Sequence, residues 1–351
     1  MTLTEADLAV ITAAPIIANT DELTRPDWLA LRRTGLGGSD AAAALGITSY
    51  SSSYKLWTEK TSTIPDDDES VLAMRRGQHA EEFILREAAA AEPHLHVDRA
   101  PYMLRHPDHP ELLANVDGLA VHDHRRGRGI FEAKNVNSYA AKDWADGPPI
   151  YYEAQVFHYM AVLGLDWAVV AADTQQYDDL PTYFIERDDA FIEQLVAREV
   201  EWWERHVVDG HEPTADGSKP TTDLLKLIEA RQGVTRQLDP DEQADVEAMY
   251  LQLAHDTAVA KDAEQAVDTA KNRVRQLMGE ATELVDADGR TWATWRQAKD
   301  KQTVDHRAAV HDAALALGVT VDELLASHST TKPGARTLRT APGLTLIAKE
   351  T

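Results

Sequence analysis

Asn115-Val116-Asp117-Gly118-Leu119, followed by Gly129-Ile130-Phe131-Glu132-Ala133-Lys134, read as parts of two neighbouring strands around which the rest of the chain is organised. Successive side chains of a strand alternate between faces, so Glu132 and Lys134 project to one side while Ala133 packs opposite or offers its carbonyl. Ile130 and Phe131 make the strand half-buried, and an inward-facing charged pair there needs a chemical reason. The polar, glycine-containing stretch His122 to Arg128 suits a hairpin connection, which would bring Asp117 to Glu132 and Lys134. Such a group fits phosphodiester hydrolysis. Hard oxygen donors hold Mg2+ or Mn2+, the metal neutralises the phosphate and acidifies water, and a nearby ammonium orients that water or stabilises developing charge. Lys134 would take the last role. A D…E-x-K pattern is short, and a surface strand with alternating charges is the competing reading.

Working outward, residues 71–91 have helical composition and period, and Glu81 within them offers a further carboxylate; an exposed helical Glu beside Glu82 is the alternative. Strands are expected at 95–104, 112–121, 129–134, 167–172 and 181–186, with helices at about 150–164 and 189–209. That order predicts an α/β core with a mixed sheet flanked by helices. Upstream, 26–34 form a short helix begun by Pro26, the turn Gly35-Leu36-Gly37-Gly38 follows, and Ser39-Asp40 are expected to cap an alanine-rich helix. Downstream, GHEPTADGSKP (210–220) has no periodicity and marks a linker. The expected organisation is a catalytic domain over 1–210, a linker over 211–238, and a C-terminal unit over 239–351. That unit would hold one long helix (239–280) and a β-hairpin, 282–286 with 290–297, turning at Asp288-Gly289.

The chain has 351 residues, 43% of them hydrophobic, enough for a packed core. It contains no Cys, which removes disulfides, thiolate zinc sites, iron-sulfur clusters and thiol nucleophiles, so a metal would sit on oxygen or imidazole. The first residues carry acidic groups and no basic leader, and no apolar run approaches the roughly 20 residues that span a bilayer. A soluble, intracellular protein with no membrane partner is expected. With 35 Lys+Arg against 59 Asp+Glu the formal charge is −24, the wrong sign for bulk attraction to nucleic acid. A nuclease needs only a local cationic groove, and metal ions at a carboxylate cluster reverse the local field. Basic residues do gather at Arg32-Arg33, Arg75-Arg76 and Arg125-Arg126 with Arg128, although solvated surface charge explains any one of these equally well. His94, His96, His106, His109, His122 and His124 suggest zinc, but their irregular spacing favours surface histidines.

Several motifs in order resemble the phage lambda exonuclease type of nuclease, the YqaJ-type viral recombinase group of the PD-(D/E)XK superfamily. They are Trp28 to Arg32 leading to Gly37-Gly38-Ser39-Asp40, then Ser52 to Trp57 with Glu59-Lys60, then Arg76-Gly77-Gln78-His79-Ala80-Glu81. Asn115-Val116-Asp117-Gly118, Glu132-Ala133-Lys134, and Tyr152-Glu153-Ala154-Gln155-Val156 with Tyr159-Met160 follow. The resemblance covers about 25–187 and implies a restriction-endonuclease-like mixed sheet, with the helical arm and hairpin as additions. It implies Glu81, Asp117, Glu132 and the Ala133 carbonyl as ligands of Mg2+ (Mn2+ as substitute), Lys134 acting on the attacking water, and Gln155 in support. Arg32 and Ser39 would grip a 5′-terminal phosphate; by themselves Gly37-Gly38-Ser39 suggest only a capped helix after a turn. Tyr54 and Trp57 read as core residues, with base stacking the lesser alternative.

The implied activity is a 5′-to-3′ exonuclease on linear double-stranded DNA, producing single strands for phage-type recombination. Its implied partners are double-stranded DNA, a single-strand annealing protein and copies of itself in a homotrimer, in the cytoplasm of a bacterial or phage-infected host cell. Two departures stand out: Asn135-Val136 replace a common Cys-Pro, and Phe157 replaces a second Gln. The competing functions are a DNA endonuclease or Cas4-like nuclease of the same fold, the iron-sulfur form being disfavoured by the lack of Cys, and a non-catalytic DNA-binding protein.

Overall fold

The computed structural model describes residues 2–62, 68–175, 180–227, 235–296 and 306–328. The chain divides into two compact units, Met1–Leu225 and Lys226–Thr351.

The first unit opens with α1 (Glu5–Ile11), closed at its start by a reciprocal Thr4–Asp7 capping box, and β1 (Ile16–Asn19). Next come α2 (Arg25–Arg32), with Pro26 in its first turn, the short β2 (Leu36–Gly37), α3 (Gly38–Ala44), α4 (Ser53–Thr61) and α5 (Asp68–Ala91). Ser39 and Asp40 do not cap α3 from outside. Gly37 is the N-cap residue, and Asp40, inside the first turn, accepts the Gly37 N–H at 2.9 Å through Oδ2.

Two stretches that read as single strands each divide between two sheets. The run 95–104 is β3 (Leu95–Asp98) and β4 (Tyr102–Arg105), broken at Pro101, which has no N–H to give to a ladder. The run 112–121 is β5 (Leu112–Ala114) and β6 (Gly118–His122), parted by Asn115-Val116-Asp117. β7 (Gly129–Asn135) pairs with β6 as the expected hairpin, but only from Ala120↔Gly129 to Gly118↔Phe131. One sheet has the order β1-β4-β5-β2; the other runs β3-β6-β7 and continues through β8 (Trp167–Asp173) to β9 (Thr182–Glu186). β7 and β8 are parallel while the other pairs of this sheet are antiparallel, so the sheet is mixed as expected.

A parallel pair needs a crossover, and α6 (Ile150–Leu163) supplies it. Every residue of α6 from Ala154 to Leu163 is buried, and Gly164 ends it in the left-handed region at φ 67°. α6 covers the sheet face carrying Ile130, Ala168, Val170 and Ala172, whereas α5 covers the opposite face with Phe131, Ala133, Val169 and Ala171. Helices on both faces of a mixed sheet give the α/β architecture expected from the order of elements. α7 (Asp189–Trp203) follows, and the expected continuation to 209 is a turn of wider π geometry at Glu204–Val208. Within the expected linker, Lys219–Leu227 is helical (α8), and Thr221, buried, bonds Ser52 at 2.7 Å between hydroxyls.

In the second unit α9 (Pro240–Met278) starts at an Asp239–Glu242 capping box, as its Asp-Pro start predicts. β10 (Glu283–Val285) and β11 (Thr291–Thr294) form the expected hairpin, with Gly289 at φ 80° in its turn. α10 (His306–Leu317) and α11 (Val321–His328) are its remaining elements among the described residues. Lys332, Arg336 and Arg339, basic residues near the end of the sequence that suggest a further contact with DNA, lie outside the described residues. Among the described residues no helix is long and apolar enough to cross a membrane.

Candidate active site

β7 behaves as its alternation requires, placing Glu132 and Lys134 on the α6 face and Phe131 and Ala133 on the α5 face. Beyond Phe131 the ladder with β6 has ended, which would leave the Ala133 N–H without a strand partner. Asp117, at the crossing between sheets, takes it: Oδ2 accepts the Ala133 N–H at 2.8 Å. The N–H and C=O of one strand residue share an edge, so the Ala133 carbonyl faces the same opening as the Asp117 carboxylate.

Glu132 is 3% exposed. Its Oε1 accepts from Lys134 Nζ at 2.6 Å and from Gln155 Nε2 at 2.6 Å, while its Oε2 is buried with no hydrogen-bond partner. Gln155, in the buried part of α6, also accepts from Lys134 Nζ at 2.9 Å and donates to the Tyr159 hydroxyl at 3.1 Å. The ammonium lies 4.7 Å from the centre of the Tyr152 ring.

Charge here is unbalanced. Burial, reinforced by Glu132 and Glu81, raises the Asp117 carboxyl well above the usual range. Burial and then Glu132 raise Glu81 as well. Burial would depress Lys134, but Glu132 and Asp117 outweigh it and keep the ammonium's affinity for its proton above ordinary. The structure thus brings Asp117, Glu132, Lys134 and Gln155 together. Glu81 approaches from α5 on the other face, within electrostatic reach of both carboxylates. Among the described residues no three His, Asp or Glu side chains already form a cage for a metal ion, and that holds for these carboxylates and for the histidines alike. The rings of His94, His122 and His124 nevertheless lie 4.5–6.0 Å apart at the end of the β3–β6 pair, a grouping that chain spacing did not show.

Arg32 and Ser39 also meet: Arg32 Nη2 donates to Ser39 Oγ at 3.0 Å. The same nitrogen donates to Asp40 Oδ1 at 2.7 Å, and Lys60 Nζ, from the last turn of α4, donates to Asp40 Oδ2 at 2.7 Å. Burial would push Asp40 up, but the two cations prevail and hold it far below the usual carboxylate range. Sequence reading saw Asp40 only as a cap and Lys60 only as part of a motif; nothing local to either residue shows that they pair. Gly38 joins the two clusters. A Cβ there would stand 2.5 Å from the Tyr159 ring and 3.1 Å from Gln155 Cγ, so only glycine lets α3 lie directly on α6.

Beneath β5, His158 contacts Glu199 Oε1 through Nδ1 and the Leu113 carbonyl through Nε2, both at 2.8 Å. The Leu113 carbonyl can only accept, so Nε2 donates to it. Burial opposes a positive charge on the ring and Glu199 favours it, raising His158 above its ordinary value. Trp57 is half-buried, packed against the main cluster rather than within it, and donates Nε1 to the His206 carbonyl at 3.1 Å.

Residues 27–166 match the family model described as the YqaJ-like viral recombinase domain. The chain is 32% identical over 220 residues, 61% of its length, to the uncharacterized protein YqaJ of Bacillus subtilis (strain 168), and spans 66% of that relative's length. Among solved structures, an alkaline exonuclease from Laribacter hongkongensis is 22% identical at a TM-score of 0.41, covering 52% of this chain and 93% of its own. A phage related exonuclease from Haemophilus somnus 129PT is 12% identical at a TM-score of 0.36, covering 52% of this chain and 100% of its own.

Proposed function

We propose, for a chain whose residues 27–166 belong to the YqaJ-like viral recombinase domain family, that it is a divalent-metal-dependent deoxyribonuclease, a 5′-to-3′ exonuclease that shortens linear duplex DNA and leaves single strands for recombination. The observation that carries this reading is the buried, unpartnered Oε2 of Glu132 beside the raised carboxyls of Asp117 and Glu81. An orphaned carboxylate oxygen costs about 1–3 kcal/mol or more, a cost relieved when a cation arrives. The donor set is all oxygen, which suits Mg2+ or Mn2+ and not a soft metal. Asp117, Glu132, the Ala133 carbonyl and Glu81 would hold the ion.

When bound, that ion neutralises phosphate charge and makes water more acidic. The protein's own groups do the rest. Glu132 and Gln155 fix the Lys134 ammonium, so a positive charge stands ready for the attacking water and for charge developing on the phosphate. Gln155 is bonded to Glu132, Lys134 and Tyr159 at once and keeps all three in register. Arg32 and Ser39, next to Gln155 through Gly38, would receive the 5′-terminal phosphate.

The test is digestion in Mg2+ of linear duplex bearing a 5′ phosphate, of the same duplex with a 5′ hydroxyl, and of a closed circle. Loss of the phosphorylated linear form with the circle untouched is the expected result. Nicking of the circle would replace the exonuclease with an endonuclease, and no cutting of any substrate would refute the enzymatic reading.

A further inference from the structure

Arg32 is a poor anion receptor as long as Asp40 is its only company. The two form a buried ion pair at 2.7 Å, with side chains 30% and 8% exposed, and together they carry no net charge. The structure adds a third member. Lys60 Nζ sits 2.7 Å from the other Asp40 oxygen and donates to the Arg32 backbone carbonyl at 2.9 Å, with its side chain 4% exposed. One ammonium therefore ties together the end of α2, the first turn of α3 and the last turn of α4.

Burying an ammonium this deeply costs several kcal/mol unless it is paired, and its one carboxylate partner here is shared with Arg32. Glu59 also lies within electrostatic reach of Arg32 and Lys60, but it pairs with a further cation, Lys55 Nζ at 3.7 Å, so that pair adds no net charge. The formal sum over Arg32, Lys60 and Asp40 is one positive charge, and Arg32 is the most exposed side chain of the three.

We propose that Lys60 is a positioning residue for the terminal-phosphate site: it occupies Asp40 so that the Arg32 charge is left to an incoming phosphate monoester. Asp40 then acts as a template, fixing Arg32 from one side while Lys60 cancels it from the other. The inference rests on the end-phosphate reading above and adds to it a dependence on the charge balance of three residues.

The charge sum supplies a test that a purely structural role would not satisfy. Affinity is read by fluorescence anisotropy, in EDTA so that no cutting intervenes, for a duplex with a 5′ phosphate and for the same duplex with a 5′ hydroxyl. Lys60→Met keeps the apolar stem and makes the cluster neutral; the preference for phosphate should fall about tenfold, the worth of a hydrogen bond to a charged group. Combining Lys60→Met with Asp40→Asn restores one net positive charge, and the preference should return although two residues have changed. A Lys60→Met protein that still prefers phosphate, or a double variant as indifferent as the single one, overturns the role of Lys60 alone. A wild-type protein that does not discriminate between the ends overturns the terminal-phosphate reading and this inference with it. If Lys60→Met does not fold, Lys60→Gln removes the same charge with a polar side chain, and a Lys60→Gln protein that keeps the preference overturns the proposal.

Discussion

Two clusters of buried charge meet where α3 lies on α6, and they are balanced in opposite ways. Around Asp40, two cations share one carboxylate, every Asp40 oxygen is bonded, and its proton affinity is driven down. Around Glu132, one ammonium faces Asp117, Glu132 and Glu81, one oxygen is left without a partner, and proton affinities of the neighbouring carboxyls are driven up. A fold can carry the first arrangement indefinitely. The second is tolerable only because the scaffold over-determines it, and strain of that sort gathers at sites that await a ligand.

The largest effect that separates the two is on stability at the first. Asp40→Ala leaves Arg32 and Lys60 facing each other unpaired, and the fold should lose about 3–5 kcal/mol in urea titration. A loss below 1 kcal/mol would mean that the cluster is solvated and the contrast is false. Next comes catalysis at the second. Lys134→Ala should reduce kcat by about 10²- to 10³-fold, as for removal of a preorganised electrostatic donor, while the far-ultraviolet circular dichroism stays unchanged. A variant that cuts at the wild-type rate would take Lys134 out of the chemistry.

Metal comes third. Mg2+ at about 100 times its Kd should stabilise the wild-type protein by about 2.7 kcal/mol, and EDTA should reverse it. Glu132→Gln should abolish that response, and an unchanged Tm shift in this variant would relocate the ion. The smallest effect has the opposite sign to the first. Asp117→Asn keeps an acceptor for the Ala133 N–H and removes a disfavoured charge, so the apo fold should gain about 0.5–2 kcal/mol while losing activity. pH separates the same pair of residues. Asp40, depressed in the fold, contributes stability that is present above its ordinary value of about 3.9 and lost as pH falls through the folded one. Asp117, raised in the fold, contributes stability present below that ordinary value and lost as pH rises through the folded one. Urea midpoints measured against pH should therefore show Asp40→Asn diverging from wild type upward from acid as a loss, and Asp117→Asn diverging upward as a gain.

Much of this was legible in the chain itself. Period-two alternation in Gly129–Lys134 announced β7 and its charged face, helical composition placed a helix at about 150–164, and Asp239-Pro240 marked the start of α9. The sheet switches were not read, although Pro101 and the strand-disfavouring Asn115, Asp117 and Gly118 stand at them, because a local break does not say that the chain passes to a second sheet. The pairing of Lys60 with Asp40 and of His158 with Glu199 was hidden as well. Partners 20 and 41 positions apart carry no periodic signal, and only tertiary packing gives them a common place. Glu81 was placed on its helix correctly, yet the sequence could not say that this helix covers the face opposite Glu132.

The segment that runs from β5 into β6 serves one sheet with its first half and the other with its second. A strand confined to a single sheet can slip by one residue and carry its whole pattern to the wrong side. Here a slip would have to be matched in two ladders at once, which bars it. Asp117 is clamped between two anchored stretches like a tooth in a gear train, so adding or deleting one residue between Ala114 and Gly118 would mistime the whole assembly.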